Sequence, residues 1–199
     1  MEVFIILFVL SFVVAGAHIY HDRKPRTGRR VAEILLLWLL VVNTGFGGLY
    51  AFSGHLFAAD EVAASIVWPA GNPFQTEVAV ANLTIGTLGI LSYWIRGNFW
   101  TAAVIATSIW LLGAAAIHLS EMVGAGNYHP GNGGVVFYMD ILGPALLIML
   151  LVYLRFAGQT EAGPAASERP VRRADSVSLD LLSSGRSFDS ERLSPCDHS

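Results

Sequence analysis

The sequence predicts an all-α integral membrane protein: five transmembrane helices in a compact bundle, a short interfacial helix between helices two and three, and a disordered tail. Three observations predict it. The 199 residues are 54% hydrophobic and only 14% charged, where soluble domains carry about 25% charged residues. The apolar residues gather in five runs, each close to the length that crosses about 30 Å of hydrocarbon. The lysines and arginines sit only in alternate connections and in the tail.

The spans fall at about 2–20, 31–52, 77–95, 99–118 and 135–155. The first begins Met-Glu, with no positive charge ahead of the apolar run, and is followed at once by HDRKPRTGRR. A secretory signal has the opposite charge order, so we read this run as an uncleaved first span. The first connection holds Arg23, Lys24, Arg26, Arg29 and Arg30. The RGNFW turn adds Arg96, span five ends at Arg155, and the tail carries the remaining arginines. Residues 53–76 and 119–134 have no lysine or arginine. With five spans, every basic residue therefore falls on one face, and the positive-inside rule makes that face cytoplasmic. The amino terminus is then outside and the carboxyl tail inside, and a prokaryotic plasma membrane is the expected location.

Residues 1–156 form the transmembrane domain in this reading. Residues 157–199 are rich in Ser, Pro, Arg and acidic side chains and read as a disordered cytoplasmic tail. Its RRADSVS segment has the make-up of a phosphorylation site. The lone Cys196 excludes a disulfide framework and cysteine-based metal or redox motifs. No glycine loop for phosphates is present, and nothing points to nucleic acid. The expected partners are the bilayer and a membrane or cytoplasmic protein.

Inside a bilayer, helices associate through close packing and polar contacts, because lipid is as apolar as leucine. Span two offers NTGFGG, with Asn43, Thr44 and Gly48. Span three places Asn82, Gly86, Gly89 and Tyr93 on one stripe. Span four offers Ala102, Ala106, Gly113 and Ala114. Pro144 in span five removes a backbone donor and frees the carbonyl of Asp140. Between spans two and three, LFAADEVAASIVW suits a short interfacial helix, and Trp68, Pro69 and Pro73 enforce the turns that follow.

The chemistry-bearing residues lie at the end opposite the arginines. His55 follows span two, Asp60 and Glu61 sit in the short helix, and Glu77 opens span three. Asn82 is about 7.5 Å further in. His118 ends span four with Glu121 three residues on, and Asp140 is inside span five. Charge inside a span costs about 2.5–3.5 kcal/mol at mid-membrane, less near the edge, and no lysine or arginine is at hand to neutralise it. His55, Asp60, Glu77, Asn82, His118 and Asp140 are thus a candidate polar site. A divalent metal would draw on His55, Glu77, His118, Glu121 and Asp140. Haem on His55 and His118 has nothing else in its favour. The chain does not say whether it is an enzyme. A structural or accessory membrane subunit asks least of these residues. The alternatives are a cation- or proton-binding site in a metal-dependent enzyme, sensor or small transporter, or a site for haem or quinone.

Gly54-His55, Phe57, Asp60, Trp68-Pro69, Pro73-Phe74-Gln75, Glu77-Val78 and Ala81-Asn82 also form a pattern. With Gly97-Asn98-Phe99-Trp100, His118, Glu121, Pro130-Gly131-Asn132 and Asp140, it resembles a family of small prokaryotic multi-pass membrane proteins of unknown function. The resemblance covers about residues 31–155. It implies an all-helical membrane domain and no activity. By topology alone the bundle is similar to DoxX-like proteins, a likeness of fold without functional weight.

Overall fold

The computed structural model describes residues 2–161, with side chains through residue 156; the tail from 162 onward, including RRADSVS, lies outside the described residues. The described chain is all-helical and has five helices long and apolar enough to cross a membrane. Helix α1 covers Glu2–His21. The second span, Gly28–Phe57, is continuous but not uniform. It begins as α2 (Gly28–Trp38), passes through a π-helical segment (Leu39–Phe46), and ends as α3 (Gly47–Phe57). The short α4 (Ala59–Ser65) follows, then α5 (Phe74–Leu91), α6 (Asn98–Gly124), the single turn α7 (Pro130–Gly133) and α8 (Val135–Glu161).

Local chemistry sets the element ends. Thr27 caps α2, its hydroxyl accepting from the Arg30 N–H. The Asn72 carboxamide oxygen accepts from the Phe74 N–H at 2.9 Å. That contact, with Pro73 just ahead, starts span three at Phe74, a turn earlier than the sequence predicts. The same span ends early, at Leu91, because Ser92–Trp94 form a turn. Span four runs on to Gly124, so His118 lies within α6 and not at its end.

The centre of the bundle is span two. It packs against α1, α5 and α8, and α6 in turn packs on α8. A core of Leu36, Leu37, Leu40, Trp100, Val104 and Leu147 fills the half nearer the arginines. That basic end is one surface: Gly28 lies against the Tyr153 hydroxyl, and Arg155 bonds Asn98 and Thr101 at the start of α6. Trp100 Nε1 donates to the Ser92 carbonyl at 2.8 Å, joining α6 to α5 there.

The glycines of spans two and three work as the sequence suggests. A Cβ on Gly48 would lie 2.7 Å from Gly86 Cα, and Gly89 meets the backbone of Gly45. The small-residue face expected on α6 is different. Ala102 and Gly113 are exposed, while Ala103, Thr107 and Ser108 turn inward. Helix α6 meets α5 only sparingly, so its Gly113 has no neighbour within 4 Å of a built Cβ. At the end away from the arginines α3 and α5 stay packed together, and α6 stands off from α5.

Candidate functional site

At that end lies a cavity of about 840 Å³, lined by α3, α5, α6 and α8, with α4 and α7 beside it. Most of its wall is apolar. Phe4, Tyr50, Phe57, Trp68, Phe74 and Trp110 supply aromatic surface. Three polar pairs interrupt it.

The first pair joins α3 to α5. His55 stands in the last turn of α3, and its Nδ1 is 2.6 Å from Gln75 Oε1. Gln75 is buried in the first turn of α5. The second pair joins α5 to α6: Trp110 Nε1 donates to Asn82 Oδ1 at 3.2 Å, and Asn82 Nδ2 donates to the Val78 carbonyl. Asn82 is therefore a satisfied interhelical bond. Such bonds in membranes are worth about 0.6–2 kcal/mol.

The third pair joins α6 to α8. His118 Nε2 and Asp140 Oδ2 stand 3.9 Å apart, both side chains largely buried. On its other side His118 Nδ1 is 2.7 Å from Asn132 Oδ1. Asn132 is fully buried and donates from Nδ2 to two carbonyls, those of His118 and Asn127. Asn127 in turn donates to the Ile66 carbonyl at the end of α4. One chain of contacts thus runs from the α4 turn through Asn127 and Asn132 to His118 and Asp140. Gly131 lies against the Ser65 carbonyl, where a side chain would not fit.

The α4 turn itself is held tightly. Trp68 N–H bonds the Ala63 carbonyl and Val67 N–H the Ala64 carbonyl, the paired bonds of a helix end closed by a left-handed residue. That residue is Val67, at φ 62°, where glycine is usual.

The sequence-predicted site is therefore divided. His55, Asn82, His118 and Asp140 all line the cavity. Asp60 does not: it is exposed, and its Oδ1 accepts from the Gly71 N–H at 2.9 Å, bracing the turn after α4. Glu77 is exposed on the outside of α5, because Gln75, two residues earlier, takes the inward position. Glu121 is off the cavity wall. Among the described residues no three His, Cys, Asp or Glu side chains converge as metal ligands. Of His55, Glu77, His118, Glu121 and Asp140, the structure brings His118 and Asp140 to 3.9 Å, while Glu77 is exposed and Glu121 is not among the cavity-lining residues.

Three residues that build the site, Trp110 on the cavity wall and Asn127 and Asn132 behind it, escape a hydropathy reading. Trp110 is hidden in the apolar run of α6. Asn127 and Asn132 sit in a glycine-rich connection whose composition looks like solvent-exposed loop. The repeated asparagines of GNYHPGNG were the available signal. Thr44 and Thr107 also line the cavity, and their buried hydroxyls have no hydrogen-bond partner in the structure.

The family of unknown function DUF6790 matches residues 1–159. The chain belongs to DUF6790. The match takes in all five spans and every residue of the cavity, so the site belongs to the family domain itself. No curated protein and no solved structure matches the chain. The five apolar helices are those of a multi-pass membrane protein, and a family of unknown function leaves the activity to be argued from the cavity.

Proposed function

We propose that this DUF6790 protein binds a small amphipathic, lipid-soluble molecule in the cavity between α3, α5, α6 and α8. The cavity carries the reading. Its volume of about 840 Å³ lies within the range of small-molecule sites, which are mostly apolar with a few placed polar groups. The pairs His55–Gln75 and His118–Asp140 are such groups, and the unpartnered hydroxyls of Thr44 and Thr107 add polar contacts on the same wall. The sparse contact between α5 and α6 gives a ligand from the bilayer a lateral way in. A purely structural plug of polar residues would fill this space with side chains; here the space is open.

The site opens toward the end without lysine or arginine. With the positive-inside rule, that end faces outward and the arginine end faces the cytoplasm. The resemblance to small prokaryotic membrane proteins supports a prokaryotic plasma membrane. Cysteines introduced at Asn72 and Arg26 test the sidedness: an impermeant thiol reagent applied to intact cells should label the first and not the second.

The binding test uses the full chain purified in mild detergent, followed by organic extraction and mass analysis. A lipid-soluble molecule should co-purify. Gly113→Leu should intrude into the cavity with no clash at its Cβ and should reduce the amount of that molecule retained while the chain stays folded. Equal retention by the wild type and Gly113→Leu would refute the reading.

A further inference from the structure

The geometry points to a ligand of one chemical class: a ring bearing a phenolic hydroxyl, as in a hydroquinone, seated with that hydroxyl between His118 and Asp140. This rests on the cavity being a ligand site and specifies what the site selects.

The inference begins at Asn132. Both of its donated bonds are committed, to the carbonyls of His118 at 3.1 Å and Asn127 at 2.8 Å. Carbonyls accept only, so these two bonds fix the carboxamide with nitrogen toward the carbonyls and oxygen toward the imidazole. The oxygen lies 2.7 Å from His118 Nδ1. Nδ1 must then carry a hydrogen and donate it. In the neutral ring that leaves Nε2 as a bare acceptor.

Nε2 looks at Asp140 Oδ2 across 3.9 Å. That gap is too wide for a direct hydrogen bond, and contacts of this length are commonly bridged. Two bare acceptors facing one another in a largely buried setting, with no lysine or arginine at this end, is an unfavourable state. A single proton held by the pair resolves it. The gap then presents one donor and one acceptor side by side.

A phenolic hydroxyl complements that arrangement. Its hydrogen goes to the bare acceptor and its oxygen accepts from the donor. A quinone carbonyl satisfies only the donor and leaves the acceptor unpaired in a buried site. A methyl ether has no hydrogen to give, and its methyl group crowds its oxygen away from the donor. The ring meets aromatic walls, Phe57 and Trp110 among them, where offset or edge contacts are favourable. His55 offers a second polar contact on the α3 side, its Nδ1 being occupied by Gln75.

The test compares three probes on the wild-type chain: a decyl-substituted hydroquinone, the matching quinone and the matching dimethyl ether, with affinity read from quenching of tryptophan fluorescence. The hydroquinone should bind roughly tenfold or more tighter than the ether, as expected for a buried site built around a hydrogen bond, with the quinone between them. Asp140→Asn keeps a donor beside His118 and should keep the preference. Asp140→Leu leaves only the His118 Nε2 acceptor and should shrink the preference, and Asp140→Leu combined with His118→Leu should abolish it while the ether still binds. Equal binding of hydroquinone and ether would overturn the phenol assignment and leave the cavity as a site for amphiphiles. A full preference that survives loss of both side chains would overturn it as well. Failure of all three probes to bind would sink both readings.

Discussion

Gly48 and Gly86 touch backbone to backbone: a Cβ on Gly48 would lie 2.7 Å from Gly86 Cα, and one on Gly86 would lie 2.8 Å from the Leu49 nitrogen. Spans two and three are drawn together here, and their ends away from the arginines carry His55 and Gln75 to hydrogen-bond distance. The helix contact and the cavity's first polar pair are one construction.

The first prediction follows from that contact. Gly48→Val forces the two helices apart, because the opposing atoms are backbone and cannot rotate away. The expected destabilisation is about 1–3 kcal/mol, the usual cost of overpacking, seen as a lowered midpoint in detergent unfolding. Gly113→Val, at a position with no neighbour within 4 Å, should leave that midpoint unchanged. Equal midpoints for Gly48→Val and the wild type would show that the contact does not hold the spans.

The second concerns Val67. A β-branched residue at φ 62° bears a left-handed backbone cost of about 1–2 kcal/mol. Glycine removes that cost but gives up more chain entropy on folding, by about 0.5–1 kcal/mol. Val67→Gly should therefore stabilise the protein by about 0.5–1 kcal/mol. Thermal unfolding of the pair measures it, and a clear loss of stability would mean that the exposed valine makes a contact outweighing the strain.

The third is a pH dependence at the basic end. Asp22 Oδ2 pairs with Arg30 Nε at 2.6 Å, and Asp22 Oδ1 accepts from the Lys24 N–H at 3.1 Å. The Arg30 hydrogen bond, foremost, and then the Lys24 N–H hold the carboxyl below its ordinary value of 3.8. A carboxylate depressed on folding contributes stability above its unfolded value and loses it as pH falls through the folded one. The melting-temperature difference between the wild type and Asp22→Asn should thus be present at neutral pH and shrink below about pH 4. A difference that stays constant through that range would remove the ion pair as its cause.

Much of the architecture was legible in residue order. Membrane burial acts residue by residue along the chain, so apolar run length located five spans and the distribution of arginine grouped their ends. The glycines of spans two and three were readable for a similar reason: within one regular helix, spacing by three and four defines a face. The reading weakened where those conditions failed. The small residues of span four gave no usable face, because Ala102 is exposed and Gly113 borders the cavity and not a helix. Asp60 and Glu77 were drawn into the site by their depth alone. Depth counts residues along an axis and says nothing about the direction a side chain takes around it.

By itself the sequence determined the class of protein, its five spans, the separation of a basic from an acidic end, and His55, Asn82, His118 and Asp140 as the groups that needed explaining. Only the tertiary structure decided which of them share a cavity. The physical reason lies in span two. Its π-helical segment, Leu39–Phe46, bonds each residue one position further along than an α-helix does, so every later residue is rotated away from the position that a regular 3.6-residue period assigns. The azimuth of His55 depends on that segment, and the place of His118 depends on Asn132 arriving from a different connection. Both are relations between distant parts of the chain, and they exist only once the helices have packed.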